Sequence, residues 1–261
     1  MAEPQRKHPR TVASKRVPRK PGQRAVRPRL ASSLILLAGP VGDPHVLMGR
    51  RSSGHSFMPG VHVFPGGRVE RADSYAPSTG ELSERTRFIL ESAMTPRRAR
   101  ACALAGIRET WEETGLRVSR PASGKLAAMR DRLWGDFVDG EGEGGHLPDL
   151  SGLEVVGRAT TPPHRHKRFD TWFFLRWLDG GIPHAGVGDS PELEDVRWHR
   201  LADVEALETH AMTDVMLDVL RRWLDGGEPT WTVPFHRMVR GVFVSGNFPV
   251  KGPGRGPEDG G

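Results

Sequence analysis

The stretch "AGIRETWEETGL", residues 105–116, places Arg108, Glu109, Glu112 and Glu113 within six consecutive positions. On a helix, positions three and four apart share a face. Glu109 therefore lines up with both Glu112 and Glu113, and three carboxylates fall on one stripe. Arg108 stands four residues before Glu112 and can clamp it. As a helix surface this is costly. Like charges at these spacings repel, and Gly106 in the helix interior costs about 1 kcal/mol relative to Ala. The acids also crowd the C-terminal end, where the dipole disfavours negative charge. A structural helix would carry Lys or Arg there. Hard divalent cations such as Mg²⁺ or Mn²⁺ prefer carboxylate oxygens and would offset the repulsion. Taken alone, the spacing leaves open a metal-binding stripe and a solvated acidic face.

The helix has legible ends. Thr95 suits the N-cap, Pro96 the first helical position, and Gly115 a left-handed C-terminal cap. Upstream, "ASSLILLAG" (31–39) and "HVLMGRR" (45–51) read as strands joined by a turn. "SFMPGVHVFPGGRVE" (56–70) reads as strand, glycine turn and exit. Residues 80–93 have helical spacing, and a short helix is expected at 123–134, followed by an acidic, glycine-rich loop at 135–149. Strand patterns return at 153–161, 168–178 and 195–201, then helical periodicity at 202–224. Strands interrupted by helices indicate an α/β layered domain. No internal repeat is found.

Gly (32 residues) and Pro (22) are abundant while apolar residues make up 36% of the chain, so extended ends around a compact centre are expected. The net charge of +6 is uneven. Residues 1–30 hold ten Lys/Arg and one acid, a net of +9 that leaves the other 231 residues at −3. The tail at 1–29 reads as a disordered basic extension. Its prolines break the helix a transit peptide needs. It lacks aromatic residues to stack on bases, which argues against a nucleic-acid-binding arm. The single cysteine, Cys102, excludes a disulfide framework and a Cys-rich zinc site and suits a buried helix position. No apolar run reaches the roughly 20 residues that cross a membrane, and no signal-peptide pattern opens the chain. A cytoplasmic setting is expected.

"RETWEETGL" (108–116) resembles the second half of the Nudix box, and "FPGG" (64–67) resembles its glycine-rich opening. Asp73 falls where the pattern has a glutamate, one carbon shorter, and Thr110 takes an aliphatic slot. The spacing departs further, because residues 68–107 separate the two halves. A box divided in this way, with "FMPGVHVFPGG" (57–67) and "RFDTWFFL" (168–175), is similar to the coenzyme A diphosphatase-like branch of the Nudix hydrolases.

The resemblance implies an α/β/α sandwich with a central mixed β-sheet. It implies a hydrolase domain over 30–225 with an insert at 74–95, then a C-terminal extension at 226–261 whose last part, 251–261, is disordered. By position, Glu109, Glu112 and Glu113 would hold Mg²⁺ or Mn²⁺, with the Gly67 carbonyl as a further ligand and Arg108 orienting the glutamates. Glu194 is the candidate for an additional acid, with Glu192 second. The implied reaction is metal-dependent pyrophosphohydrolysis, of coenzyme A or acyl-coenzyme A in the first instance. NADH, ADP-ribose and another dinucleotide are the alternative substrates, and a non-catalytic nucleotide- or RNA-binding regulator is the alternative of another class. Arg50, Arg51 and Arg168 are candidates for contacting substrate phosphates. His164 and His166 read as a solvated loop, and Trp172, Phe173 and Phe174 as core. The expected partner is a small nucleotide substrate, with no membrane and no nucleic acid, and a homodimer is left open. The peroxisomal relatives end in a targeting tripeptide, which Asp259-Gly260-Gly261 does not match.

Overall fold

A computed structural model describes residues 26–54, 59–122, 132–139, 145–163, 165–226, 230–239 and 242–249. The remainder of the basic tail, His164 and the segment 251–261 lie outside the described residues.

The fold is built around one strand. β1 (Arg29–Ala38) is buried on both faces for eight consecutive residues, as expected of a strand covered on two sides. Its alternate residues divide between two cores. Leu34 and Leu36 face one hydrophobic cluster, and Ile35 and Leu37 face the other. The period of two that separates them is the geometry of any strand.

Neighbours assemble around β1 in a mixed sheet. β2 (His45–Arg51) pairs antiparallel with its C-terminal end, and β3 (His62–Val63) follows on β2. β4 (Gly66–Arg68) pairs antiparallel with residues 31–33 at the N-terminal end of β1. β5 (Ser119–Pro121) and β6 (His146–Pro148) form a separate two-stranded sheet. β7 (Glu154–Thr160) pairs antiparallel with β8 (Phe169–Trp177), and β8 runs parallel to β1 along nine residues. β9 (Leu193–Arg200) pairs with β2. β10 (Val233–Val239) and β11 (Val242–Phe248) form a hairpin that joins the main sheet through β7.

Helices cover both faces. α1 (Glu84–Glu91), α2 (Pro96–Thr114) and α3 (Arg132–Asp139) contribute Ile89, Leu90, Leu104, Ile107, Trp134 and Phe137 to the first core. α4 (Ala211–Leu224) brings Met216, Leu217 and Leu220 to the second. The architecture is α/β/α with a mixed sheet, as expected. Burying each such Leu or Ile contributes about 1.5–3 kcal/mol.

Gly106 explains how α2 lies so close to β1. A Cβ there would come within 2.7 Å of the Ser32 hydroxyl. The helical cost of this glycine is thus the condition for close packing of the acidic helix on the sheet.

Several expectations shift. The helix expected at 123–134 is described over Arg132–Asp139, so residues 135–139 are helical and not loop. Gly135 disguised a segment whose Trp134, Phe137 and Val138 form a fully buried face. The C-terminal extension carries a hairpin that the sequence reading did not identify. The helix of residues 80–93 stands as read, beginning at the Ser83 cap, whose side chain accepts from the Thr86 N–H, whereas Gly66 and Gly67, read as a turn, pair with β1 as the first residues of β4.

Candidate functional site

The last two turns of α2 lie against β4. Gly115 ends the helix with φ 76°, and its N–H donates to the Trp111 carbonyl. Thr95 occupies the N-cap in extended conformation but makes no side-chain cap bond.

Asp73, in the 3-10 turn Ala72–Ser74, is fully buried. Its carboxylate accepts from Arg108 Nε at 2.9 Å and Nη2 at 3.2 Å, from the Trp134 indole at 3.1 Å and from the Glu70 N–H at 2.8 Å. Arg108, 2% exposed, then spreads its remaining donors. Nη1 reaches Glu112 at 2.8 Å and Glu109 at 3.0 Å, and Nη2 reaches the Arg68 carbonyl at 2.9 Å. Burial works against the guanidinium's charge, but the hydrogen bonds to Asp73 and the fields of Glu109, Asp73 and Glu112 prevail and raise its pKa. A fixed fork of donors is what Arg supplies and Lys does not.

Glu113 points to the start of β4. Its Oε2 accepts from the Gly66 N–H at 2.8 Å. Burial pushes its carboxyl up to about 8, although that hydrogen bond pulls the other way. Glu109 is pushed up to about 7, again by burial first, with Arg108 opposing. Glu112, more exposed, is also raised by burial. A Cβ on Gly67 would run into the Glu109 carboxylate, so this position must be glycine for the acid to lie where it does. The two segments that were 40 residues apart in sequence thus meet in space.

The other candidates divide. Arg51 is largely withdrawn from water, which lowers its pKa, and the fields of Glu113 and Glu192 partly restore it. Arg50 is paired with Glu194 at 3.0 Å, both half-exposed, across the β2–β9 register. Glu192 is a later acid whose field reaches Glu109, Glu112 and Glu113. Arg168 donates to the carbonyls of Thr161 at 3.0 Å and Val26 at 2.6 Å, tying the start of β1 to the end of β7. His166 is exposed, and Trp172, Phe173 and Phe174 are buried as expected.

Sequence reasoning passed over two groups. Asp73 was noted only as a shortened acid, and its grip on Arg108 could not be read from spacing. Trp134, which completes that pocket, lies on a helix whose limits were misplaced.

Among the described residues, no three His, Cys, Asp or Glu side chains are grouped closely enough to hold a metal ion as they stand, since Arg108 draws Glu109 and Glu112 to itself. The donor chemistry nevertheless fits a hard divalent cation. It consists of carboxylates in a site where burial penalises their charge, beside a glycine cradle that a Cβ would fill.

No family model matches the chain. The chain is 29% identical over 247 residues to the acyl-coenzyme A diphosphatase NUDT19 of Gallus gallus, a match covering 72% of this chain and 65% of that protein. It therefore spans just under two thirds of that relative's length. In fold it is similar to a Nudix hydrolase from Alicyclobacillus acidocaldarius, with a TM-score of 0.53 and 24% identity, covering 74% of this chain and 90% of that one. The fold is thus that of a Nudix hydrolase, and the sequence likeness to a coenzyme A diphosphatase points the same way.

Proposed function

We propose that the chain is a divalent-metal-dependent pyrophosphohydrolase, and that its substrate is coenzyme A or an acyl-coenzyme A. Water attacks a phosphorus of the diphosphate, the P–O–P bridge breaks, and (acyl-)4′-phosphopantetheine and adenosine 3′,5′-bisphosphate leave. The observation that carries this reading is the pair of carboxylates, buried Glu113 and part-buried Glu109, set against Gly66 and Gly67 at the start of β4. The substrate assignment is supported by the likeness to the Gallus gallus acyl-coenzyme A diphosphatase.

Glu109, Glu112 and Glu113, with the Gly67 carbonyl, would hold Mg²⁺ or Mn²⁺. When bound, such an ion supplies neutralisation of the diphosphate's charge and activation of the attacking water. The chain's own residues do the rest. Asp73 anchors Arg108, and Arg108 fixes where Glu109 and Glu112 can swing. Arg51 offers a half-desolvated guanidinium to a phosphate oxygen. Glu192, by its position in the field of the cluster, replaces Glu194 as the acid best placed to take the water's proton, and Arg50 keeps Glu194 in place on β9. The hydrolase unit is taken as residues 30–225 with its insert at 74–95. The helix of that insert packs on α2, and the 3-10 turn at its entrance supplies Asp73.

A panel of coenzyme A, acyl-coenzyme A, NADH and ADP-ribose, with Mg²⁺ and with Mn²⁺, tests the proposal. Coenzyme A or its thioester should show the highest kcat/KM. Glu112→Gln should abolish turnover while the fold is retained; undiminished activity in that variant would remove the metal assignment.

A further inference from the structure

Beside Glu112, at the end of α2, lies an open cleft of about 520 Å³. That is within the roughly 300–1,000 Å³ of small-ligand sites. Its walls come from three parts of the chain: Trp111, Glu112 and Gly115 on α2, Leu133 and Asp136 on α3, and Asp189 ahead of β9. The cleft therefore adjoins the glutamates through Glu112.

The lining is chemically selective. Trp111 and Leu133 supply apolar surface, and Leu133 is 38% exposed, unusual for a leucine on a helix that buries Trp134 and Phe137. Among the described residues that line the cleft, the ionisable groups are three carboxylates and none is cationic. The walls are held in place. Trp111 meets Phe137 edge to face at 5.4 Å between centroids, and Arg117 lies over the indole at 5.4 Å. Arg117 Nη2 donates to the Asp136 carbonyl at 3.0 Å, and Asp189 accepts from the Val196 N–H at 2.9 Å.

Phosphate oxygens would face like charge on three sides here. An uncharged arm bearing amide N–H groups would find acceptors in the carboxylates and apolar contact on the indole and leucine. We infer that this cleft takes the uncharged, amide-bearing aliphatic arm of the substrate, while the nucleotide diphosphate lies on the Arg51 side of the glutamates. The inference rests on the reading of the site as a pyrophosphohydrolase and adds the subsite that sets its specificity.

Two measurements test it on the full chain. The first is calorimetric titration with D-pantetheine, which has the arm and no phosphate. The second is the ratio of kcat/KM for coenzyme A to that for an analogue truncated to a methyl ester at the second phosphate. Leu133→Trp, which fills the cleft, should weaken pantetheine binding at least about tenfold and lower the ratio at least about tenfold. Asp136→Lys, at an exposed position, serves where Leu133→Trp does not fold and should move both readouts the same way. The inference is overturned if the folded native chain shows no saturable pantetheine binding, or if the folded variants keep native binding or a ratio within about twofold. Native protein that binds pantetheine but hydrolyses neither substrate would overturn the assigned activity and leave the subsite standing.

Discussion

A methyl group added at Gly67 would drive into the Glu109 carboxylate, while the backbone of the neighbouring Gly66 donates to Glu113. A displacement of about 1 Å at a reacting centre costs on the order of 100-fold in rate. Gly67→Ala should therefore lower kcat/KM by about that factor while circular dichroism stays native. Asp73 makes a different contribution, since it is buried and carries the guanidinium of Arg108. Removing one partner of a buried ion pair costs about 3–5 kcal/mol. Asp73→Ala should show a loss of that size in urea unfolding, and a loss under 1 kcal/mol would mean that Arg108 finds another anchor. At this scale, what spacing can reach is limited. The three glutamates and Arg108 were legible because a helix fixes which positions share a face. The pairing of Glu194 with Arg50 was not, because it depends on the register of β9 against β2. The contacts of Arg168 were out of reach for a similar reason: one of its donors meets the carbonyl of Val26, far away in sequence.

α2 was the most legible element, and its C-terminal glycine shows why. Gly115 adopts φ 76°, and a Cβ there would collide with the Gly186 carbonyl, a backbone atom that cannot rotate away. A left-handed residue with a side chain costs about 1–2 kcal/mol by itself. Gly115→Ala should exceed that in chemical denaturation, and Gly115→Asn should remain close to it in cost, because the clash is common to both. A smaller loss would show that the loop at Gly186 yields. β1 was legible as a strand from its apolar run, though only its partners revealed that both faces are covered. The hairpin of β10 and β11 escaped notice for a physical reason. Pro234 interrupts the alternation and cannot donate to a ladder, and the pairing that makes the segment a strand comes from β7, about 75 residues earlier.

Across the whole molecule, the site's electrostatics set how stability varies with pH. Glu109 and Glu113 have folded pKa values of about 7 and about 8, against 4.5 for a free glutamate. A raised carboxyl means that the unfolded chain loses its proton first. As pH rises past 4.5 the folded state is increasingly penalised, and the penalty is complete only above about 8. The buried histidines work the other way. His199 is lowered to about 4 by burial, and His62, His210 and His236 are lowered too, so acid favours the unfolded chain below about 6.5. Above 6.5 the unfolded histidines lose their remaining protons, and this opposing slope fades within about one pH unit. Between about pH 7 and 8 the glutamates therefore dominate the slope from these groups, and the metal-free protein should lose Tm across that interval. A cation that binds the ionised carboxylates of the folded chain stabilises it by mass action and does so more as their protons leave. Millimolar Mg²⁺ or Mn²⁺ should accordingly raise Tm more at pH 8 than at pH 6.5 and flatten the fall. Glu113→Gln, which cannot ionise, should flatten the metal-free profile with no ion added. A metal-free Tm that does not fall between about pH 7 and 8 would mean that water reaches Glu109 and Glu113 more freely than their placement against β4 implies.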